Sequence, residues 1–355
     1  MAMANLITVQ LFAKSKGAHA KVKSLQITGK LAMELVDVPT PVPTPDQVLI
    51  KVAYVGVCGS DLHYYFEGAN GAFVVREPLV PGHELSGTVE SDPKGEFAAG
   101  TPVTVHPGRF GTPQDKYPSH PHLWPNGSYL GSASTMPHTQ GGASEFLLVD
   151  RHMVRTLPAA LSLKSAALAE PLGVALHAIK VAGDIKGKSV LVSGSGPIGL
   201  LNIAAAHILG AAEVHASDVL EGPLSRASQL GAAKTFNVAS EALPNDYYDV
   251  VFECAGIAKA VSSALGAVRK AGTVVQVGML KAGEVPIEFA PLVSKEITLK
   301  GTFRFLDEID AAVKMLAEQP SIEKVITHTF SINDAKAGFE MAKNSQESGK
   351  VLIEL

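Results

Sequence analysis

Four side chains in this 355-residue sequence could together bind a transition metal. Cys58 and His83 offer a thiolate and an imidazole, and Glu84 and Glu170 offer carboxylates. Zinc is bound by this mixture of ligands, and a catalytic zinc site keeps one position for water or substrate. Each residue also has an ordinary interpretation as a buried thiol, a hydrogen-bonded core histidine or a surface carboxylate. Their combination favours a metal site.

A second group of residues could hold a dinucleotide. The glycine-rich segment 194–199, GSGPIG, follows the apolar run 189–193 and opens a helical pattern. In a strand–turn–helix unit, such glycines permit the turn, let backbone approach the pyrophosphate and allow close helix packing. The first N–H groups of the helix attract phosphate. The residues predicted to bind the cofactor here are Gly194, Gly196, Pro197, Ile198 and Gly199.

Asp218 ends the next apolar run and indicates which dinucleotide binds. Its carboxylate can accept hydrogen bonds from the ribose hydroxyls and would repel a 2′-phosphate, so the sequence favours NAD over NADP. The next residues, Val219, Leu220 and Glu221, supply no cation that could offset this charge. The alternative role for Asp218 is that of a helix N-cap.

The elements that must position these residues change character along the chain. Up to Gly142, short apolar runs between prolines and glycines predict a β-rich barrel or sandwich. After Leu163, continuous apolar strands alternate with helices, as in an α/β domain with a doubly wound parallel sheet. The predicted strands include 24–27, 47–57, 85–89, 189–193, 213–217, 249–254, 273–278, 296–300 and 350–354. The predicted helices are 165–181, 197–209, 222–230, 257–270 and 309–317.

Composition excludes several classes of protein. Thirty basic and 34 acidic residues give a net charge of −4 without a basic block, which argues against a nucleic-acid surface. No apolar run approaches the roughly 20 residues that span a bilayer. Two cysteines cannot build a disulfide framework, and residues 1–17 make a poor signal peptide. We therefore expect a cytoplasmic enzyme, with residues 1–20 as a possible extension.

The segments CGSDLH (58–63), GHE (82–84) and AEPL (169–172), followed by the late GxGxxG, resemble the medium-chain zinc dehydrogenase/reductase superfamily. The resemblance covers nearly the whole chain after about Val22. Within the superfamily the chain looks like the sorbitol/L-iditol branch. The segments CGSDLHYYFEG, AEPLGVALHA and KEITLKGTFRF are similar to L-idonate 5-dehydrogenases.

The resemblance implies a GroES-like catalytic domain over residues 1–165, a Rossmann NAD-binding domain over 166–301 and a return to the catalytic domain over 302–355. It also implies one catalytic zinc, bound by Cys58 and His83, with Glu84 and Glu170 sharing or alternating in the remaining positions. Asp61 matches a carboxylate that orients a ligand imidazole. A homodimer or homotetramer is expected from the same relatives.

Further roles follow from the same resemblance. Ser60 and His63 match a relay that takes the substrate proton to water, so the expected catalytic residues are Ser60, His63 and Glu170. Tyr64 and Arg304 match residues that line a polyol pocket. Val277, Gly278, Met279 and Phe303 match strand ends near the nicotinamide. Ser60 and His63 could instead be an ordinary turn serine and an interfacial histidine, and Arg304 could serve cofactor phosphates or polyol hydroxyls.

Two departures from the family pattern affect these expectations. Residues 105–134 contain none of the four cysteines that hold a structural zinc in many relatives, so we expect a single zinc. We interpret His106, His120, His122 and His138, near this gap, as loop histidines. Pro223 stands where relatives often carry an arginine near the adenine, which puts that contact in doubt.

The expected activity is hydride transfer between NAD(H) and a secondary hydroxyl of a sugar acid, L-idonate giving 5-ketogluconate and the reverse. The main alternative is a sorbitol/L-iditol-type polyol dehydrogenase. Two further classes are a zinc-free reductase of activated alkenes and a non-catalytic nucleotide-binding protein. Both should lack the four zinc-binding residue types, which this chain retains.

Overall fold

The computed structural model describes residues 21–355, so the proposed extension 1–20 lies outside the described residues. The chain builds two main sheets, with smaller two-stranded ladders beside the first. No helix within the described part combines the length and apolar character needed to cross a bilayer.

The first sheet is mostly antiparallel and is centred on strand Gln47–Gly56. Its path runs through Val154–Thr156, Pro102–Val105, Glu84–Ser91, Gln47–Gly56, Lys350–Glu354 and Ile326–Ser331, with Phe146–Asp150 also pairing to the central strand. Smaller ladders pair Lys21–Gly29 with Ala32–Pro39, Ala69–Asn70 with Phe73–Val74, and Gly108–Arg109 with Ser128–Tyr129. The central strand therefore joins the first and last parts of the chain.

The second sheet is parallel. Its order is Lys234–Asn237, Glu213–Asp218, Ser189–Ser193, Tyr248–Glu253, Val268–Gln276 and Thr298–Gly301. The strand order reverses between Ser189–Ser193 and Tyr248–Glu253, and ligands of such sheets bind at the carboxyl ends beside this point. Val190, Leu191 and Val192 are fully buried, as expected for a strand covered by helices on both faces.

The helices are Gly59–Glu67, Leu163–Ala166, Ala169–Ala182, Pro197–Ile208, Glu221–Gln229, Ala258–Ala267, Ala290–Ser294, Ile309–Glu318 and Ala335–Lys343. The prediction of one helix over 257–270 was wrong at its end. The helix stops at Ala267, because Val268 is extended, fully buried and pairs with Tyr248 in the parallel sheet. Tertiary burial of this strand overrides the local helical pattern.

The tail returns to the first sheet later than its proposed boundary at residue 302. Helix Ile309–Glu318 packs on Ala169–Ala182, and its Ile309, Ala312 and Leu316 belong to the hydrophobic core around the parallel sheet. Strands Ile326–Ser331 and Lys350–Glu354 then join the first sheet. The domain boundaries at residues 165 and 301 remain a proposal, and helix Ile309–Glu318 lies against the second domain.

Candidate metal centre and active site

Two neighbouring strands of the first sheet bring three predicted metal ligands together. Cys58 comes just after strand Gln47–Gly56, while His83 and Glu84 stand at the start of Glu84–Ser91, whose first residue pairs with Gly56. The ligand atoms of Cys58, His83 and Glu84 all lie within 4.8 Å of one another. A Cβ on Gly56 would lie 2.1 Å from Glu84 Oε2, so this close approach requires glycine.

Asp61 fixes the backbone on both sides of this cluster. It is 1% exposed, and its carboxylate accepts the backbone N–H of Cys58 at 2.9 Å and of Gly82 at 3.2 Å. Burial raises the pKa of Asp61, although the charge of His83 and these two N–H groups act in the opposite direction. These contacts hold the two ligand-bearing loops, and the role of Asp61 in orienting an imidazole remains a prediction.

Glu170 lies beside the cluster, in the first turn of helix Ala169–Ala182. It is outside the group of three ligand atoms, but its pKa responds to the charges of His83 and Glu84, after a larger increase from burial. Its Oε1 accepts a hydrogen bond of 2.6 Å from the hydroxyl of Tyr129. The structure therefore places all four predicted ligands in one buried region.

Lys350 supplies a buried cation that the sequence analysis missed. Its Nζ lies 2.7 Å from Glu84 Oε1 and 2.6 Å from Oε2, and donates to the carbonyl of Val57 at 3.1 Å. Burial opposes the charge of Lys350, but Glu84 and Cys58 raise its pKa above the usual value. Glu84 is therefore held by an ion pair, whereas Glu170 is held by a neutral phenol.

The donor set fits zinc. Nδ1 of His83 is buried and has no hydrogen-bond partner among residues 21–355, which is compatible with metal binding by this imidazole. Burial lowers the pKa of His83, but the Cys58 thiolate and nearby carboxylates outweigh it and raise that pKa to about 10. This concentration of negative charge calls for a cation, and thiolate, imidazole and carboxylate are ligands of zinc.

The glycine-rich segment has a backbone geometry that suits a phosphate cradle. Gly194 has φ of 92°, and a Cβ on Gly199 would lie 1.9 Å from the carbonyl oxygen of Gly194. A Cβ on Gly196 would meet no atom within 4 Å, so the backbone there is open to an approaching ligand. No side chain caps the helix that starts at Pro197, which leaves its first N–H groups for an anion.

Asp218 stands beside this cradle. Its Oδ2 accepts from the Ser195 N–H at 2.8 Å, and its Oδ1 accepts from Val219 N at 2.7 Å and from Leu220 N at 3.1 Å. The carboxylate is therefore fixed at the end of its strand. Arg226 has Asp218 as a neighbouring charge, and its guanidinium donates to the backbone carbonyls of residues 345–347.

The predicted nicotinamide contacts also lie at the carboxyl edge of the parallel sheet. Val277, Gly278 and Met279 follow strand Val268–Gln276, and Phe303 follows Thr298–Gly301. The side chain of Gln276 donates to buried Glu253 and to the carbonyl of Gly278. These bonds hold the loop at the position where the strand order requires a ligand crevice.

A cavity of about 620 Å³ is lined in part by Tyr129, the residue whose hydroxyl bonds Glu170. Its lining includes Arg109, His122, Trp124, Tyr129, Phe303 and Arg304. The guanidinium of Arg304 lies 4.0 Å from the ring centre of Tyr129 and 4.9 Å from that of Phe303. Arg304 has φ of 53°, an uncommon conformation for a non-glycine residue that clusters at functional sites. Within residues 21–355 it has no carboxylate partner.

Three predicted site residues on helix Gly59–Glu67 are placed differently. Tyr64 is 1% exposed, and its hydroxyl accepts from Ala133 N at 3.1 Å and contacts Ser132 at 3.3 Å, so it packs in the domain core and does not line the cavity. Ser60 is half-buried, and exposed His63 has its Nδ1 3.0 Å from Glu67. The relay role of these two remains a prediction.

The four loop histidines have separate surroundings. Nε2 of His106 bonds the carbonyl of Leu306 at 2.8 Å, and Nε2 of His138 accepts from Arg76 N at 3.0 Å. The ring of His122 lies 5.0 Å from that of His177 and 5.9 Å from that of His120. Burial, followed by these two neighbours, lowers the pKa of His122 to about 4.

Fold and site together define a two-domain, zinc- and dinucleotide-binding oxidoreductase. Residues 44–159 match the alcohol dehydrogenase GroES-like domain, and residues 197–318 match the zinc-binding dehydrogenase family. L-idonate 5-dehydrogenase (NAD(P)(+)) of Escherichia coli K12 is 35% identical over 86% of this chain and 91% of its own. Sorbitol dehydrogenase of Bos taurus is 32% identical over 90% of this chain and 92% of its own.

A crystal structure of L-idonate 5-dehydrogenase from Escherichia coli K-12 superposes with a TM-score of 0.89, at 32% identity over 95% of this chain and 99% of that one. The chain belongs to the medium-chain, zinc-binding alcohol and polyol dehydrogenase family. Its fold class is thereby confirmed, and so are zinc and a nicotinamide dinucleotide, NAD(P), as its cofactors.

Proposed function

We propose that this enzyme transfers a hydride between NAD(H) and the C5 hydroxyl of L-idonate, giving 5-ketogluconate, and catalyses the reverse reduction. The observation that carries this substrate is Arg304. A sugar acid brings a carboxylate into the cavity, and burying that charge without a partner is costly. Arg304 offers an always charged, planar donor that can bind a carboxylate through two hydrogen bonds, and it has no acidic partner in the described part of the chain.

The chain's own residues divide the remaining tasks. The backbone around Gly194 and Gly196 receives the pyrophosphate, and Asp218 receives the ribose. Zinc, when bound, supplies a Lewis acid that makes a nearby hydroxyl more acidic. Ser60 accepts the released proton in this proposal and exposed His63, held by Glu67, passes it to water.

The second candidate is a sorbitol/L-iditol-type polyol dehydrogenase. It is favoured by the 32% identity to the Bos taurus sorbitol dehydrogenase over nearly the whole chain. In that case Arg304 would bind hydroxyl groups, and no substrate charge would need a partner.

Steady-state kinetics with idonate, 5-ketogluconate and sorbitol separate these candidates. If Arg304 pairs with a carboxylate, Arg304→Met should lose far more kcat/KM with idonate than with sorbitol, and Arg304→Lys should recover part of it. Arg109→Met is the matched control, because Arg109 lines the same cavity but already pairs with Asp150. Equal losses of kcat/KM on idonate and sorbitol would exclude the role of Arg304 in binding a carboxylate. A parent enzyme that is inactive on idonate and 5-ketogluconate would favour the polyol dehydrogenase.

We also propose that the protein assembles as a homodimer or homotetramer. Strand Thr298–Gly301 forms an open edge of the parallel sheet, and apolar Leu299 and Val293 beside it are 36% and 79% exposed. An unpaired strand edge is a template for pairing with another chain. Light scattering should show a multimer that Leu299→Lys shifts toward monomer, and a monomeric parent protein would exclude the proposal.

A further inference from the structure

Tyr129 lies between the cavity of about 620 Å³ and the metal cluster. It lines the cavity, yet it is only 6% exposed and its hydroxyl reaches Glu170 at 2.6 Å. Its ring also meets the ring of His83 edge-on, with centroids 5.4 Å apart. One side chain therefore contacts a predicted metal ligand, the neighbouring carboxylate and the cavity.

The ring of Tyr129 also contacts Arg304. The guanidinium lies 4.0 Å from the centre of the Tyr129 ring, a cation–π distance at which a partly desolvated pair is stabilised. A guanidinium held over the ring can still donate hydrogen bonds through its N–H groups. The ring and the hydroxyl of Tyr129 thus act on two different partners.

We propose that Tyr129 is a positioning residue that aligns the substrate-binding cation with the metal centre. Its hydroxyl fixes Glu170 by donating a hydrogen bond to Oε1. Its ring fixes the direction in which Arg304 presents its donors. The second half of this inference rests on the proposed function, whereas the first concerns the chain and its metal alone.

Two substitutions separate these roles. Tyr129→Phe removes the hydroxyl and keeps the ring, so it should disturb Glu170 but leave Arg304 in place. Hydrogen bonds to charged groups correspond to roughly a ten- to hundred-fold effect, and we expect kcat to fall by about that factor while KM changes less than about two-fold. Tyr129→Leu removes both contacts and should, in addition, raise KM for idonate more than KM for sorbitol.

A metal readout makes the first half independent of any substrate. In the cobalt-substituted protein, Tyr129→Phe should change the visible d–d absorption, and chelator titration should give a changed affinity. Its effect on that affinity should be non-additive with Glu170→Ala, since each variant removes one partner of the same hydrogen bond. Tyr248→Phe is the control, because it removes a buried hydroxyl bonded to His215 at 3.0 Å in the other domain.

An unchanged cobalt spectrum together with additive affinities would overturn the Tyr129–Glu170 role, whatever substrate the enzyme uses. Equal KM changes for idonate and sorbitol in Tyr129→Leu would overturn the alignment of Arg304. An inactive parent enzyme on idonate would remove the proposed substrate, while the metal measurements would still decide the role of the hydroxyl. If Tyr129→Phe and Tyr248→Phe changed kcat by the same factor and KM by the same factor, the effect of Tyr129→Phe would reflect general stability. The proposal would then fail.

Discussion

Replacing Lys350 with methionine tests whether the buried ion pair beside the metal cluster is essential to the fold. The side chains of Lys350 and Glu84 are 2% and 1% exposed, and the nitrogen lies within 2.7 Å of both carboxylate oxygens. Lys350→Met keeps most of the volume but leaves Glu84 buried without its counter-ion. The carboxylate then loses a partner that water cannot replace.

The expected loss follows from distance and burial. At an effective dielectric constant of about 20, opposite charges separated by about 2.7 Å attract by roughly 6 kcal/mol, part of which offsets desolvation. Removing one partner of a buried pair costs about 3–5 kcal/mol, because the other charge stays buried. We expect a loss of about this size in the free energy of unfolding, which is a large share of the usual 5–15 kcal/mol.

Urea unfolding of the metal-free protein, followed by circular dichroism, measures this loss. Lys94→Met is the matched control, because Lys94 pairs with Asp46 at a similar 2.8 Å on the surface, where it should leave the midpoint unchanged. Adding Glu84→Gln to Lys350→Met should recover much of the stability, since a neutral amide then replaces the carboxylate that had lost its counter-ion. The reasoning is refuted if Lys350→Met loses less than about 1 kcal/mol or matches the surface control.

Three further outcomes are expected. Mass spectrometry should find one zinc per chain in the parent protein, and Cys58→Ser should abolish turnover and zinc binding while NAD binding, measured by fluorescence, persists. Two zinc ions per chain, or near-normal activity of the variant, would contradict this. The kcat/KM should be higher with NAD(H) than with NADP(H), because Asp218 would repel a 2′-phosphate, and a higher value with NADP(H) would show that the ribose site has been misread. Gly199→Ala should lower NAD affinity more than about ten-fold or impair folding, since its Cβ would lie 1.9 Å from the Gly194 carbonyl oxygen. Gly29→Ala is the control, because its Cβ would meet no atom within 4 Å, and it should leave NAD affinity and folding unchanged.

The nucleotide-binding half could be predicted well from local pattern. Strand Ser189–Ser193 was predicted at its observed bounds, and the glycine pattern predicted the turn at Gly194 and the close packing at Gly199. These features depend on neighbours in the chain, such as apolar continuity, turn glycines and the start of a helix. The prediction for residues 257–270 was wrong where strand pairing with a distant segment determined the structure.

The metal ligands could be named from residue type and family resemblance, but the groups that hold them could not. Lys350 is 266 residues from Glu84 and Tyr129 is 41 residues from Glu170, and neither lies in a motif that announces its partner. Tyr64 was assigned to the cavity from the resemblance, yet the packing of its helix buries it in the domain core. Local sequence specifies which chemical groups are available. Burial and long-range pairing between distant strands decide which of them meet, because close packing removes water and leaves buried polar groups to bond with the protein groups beside them.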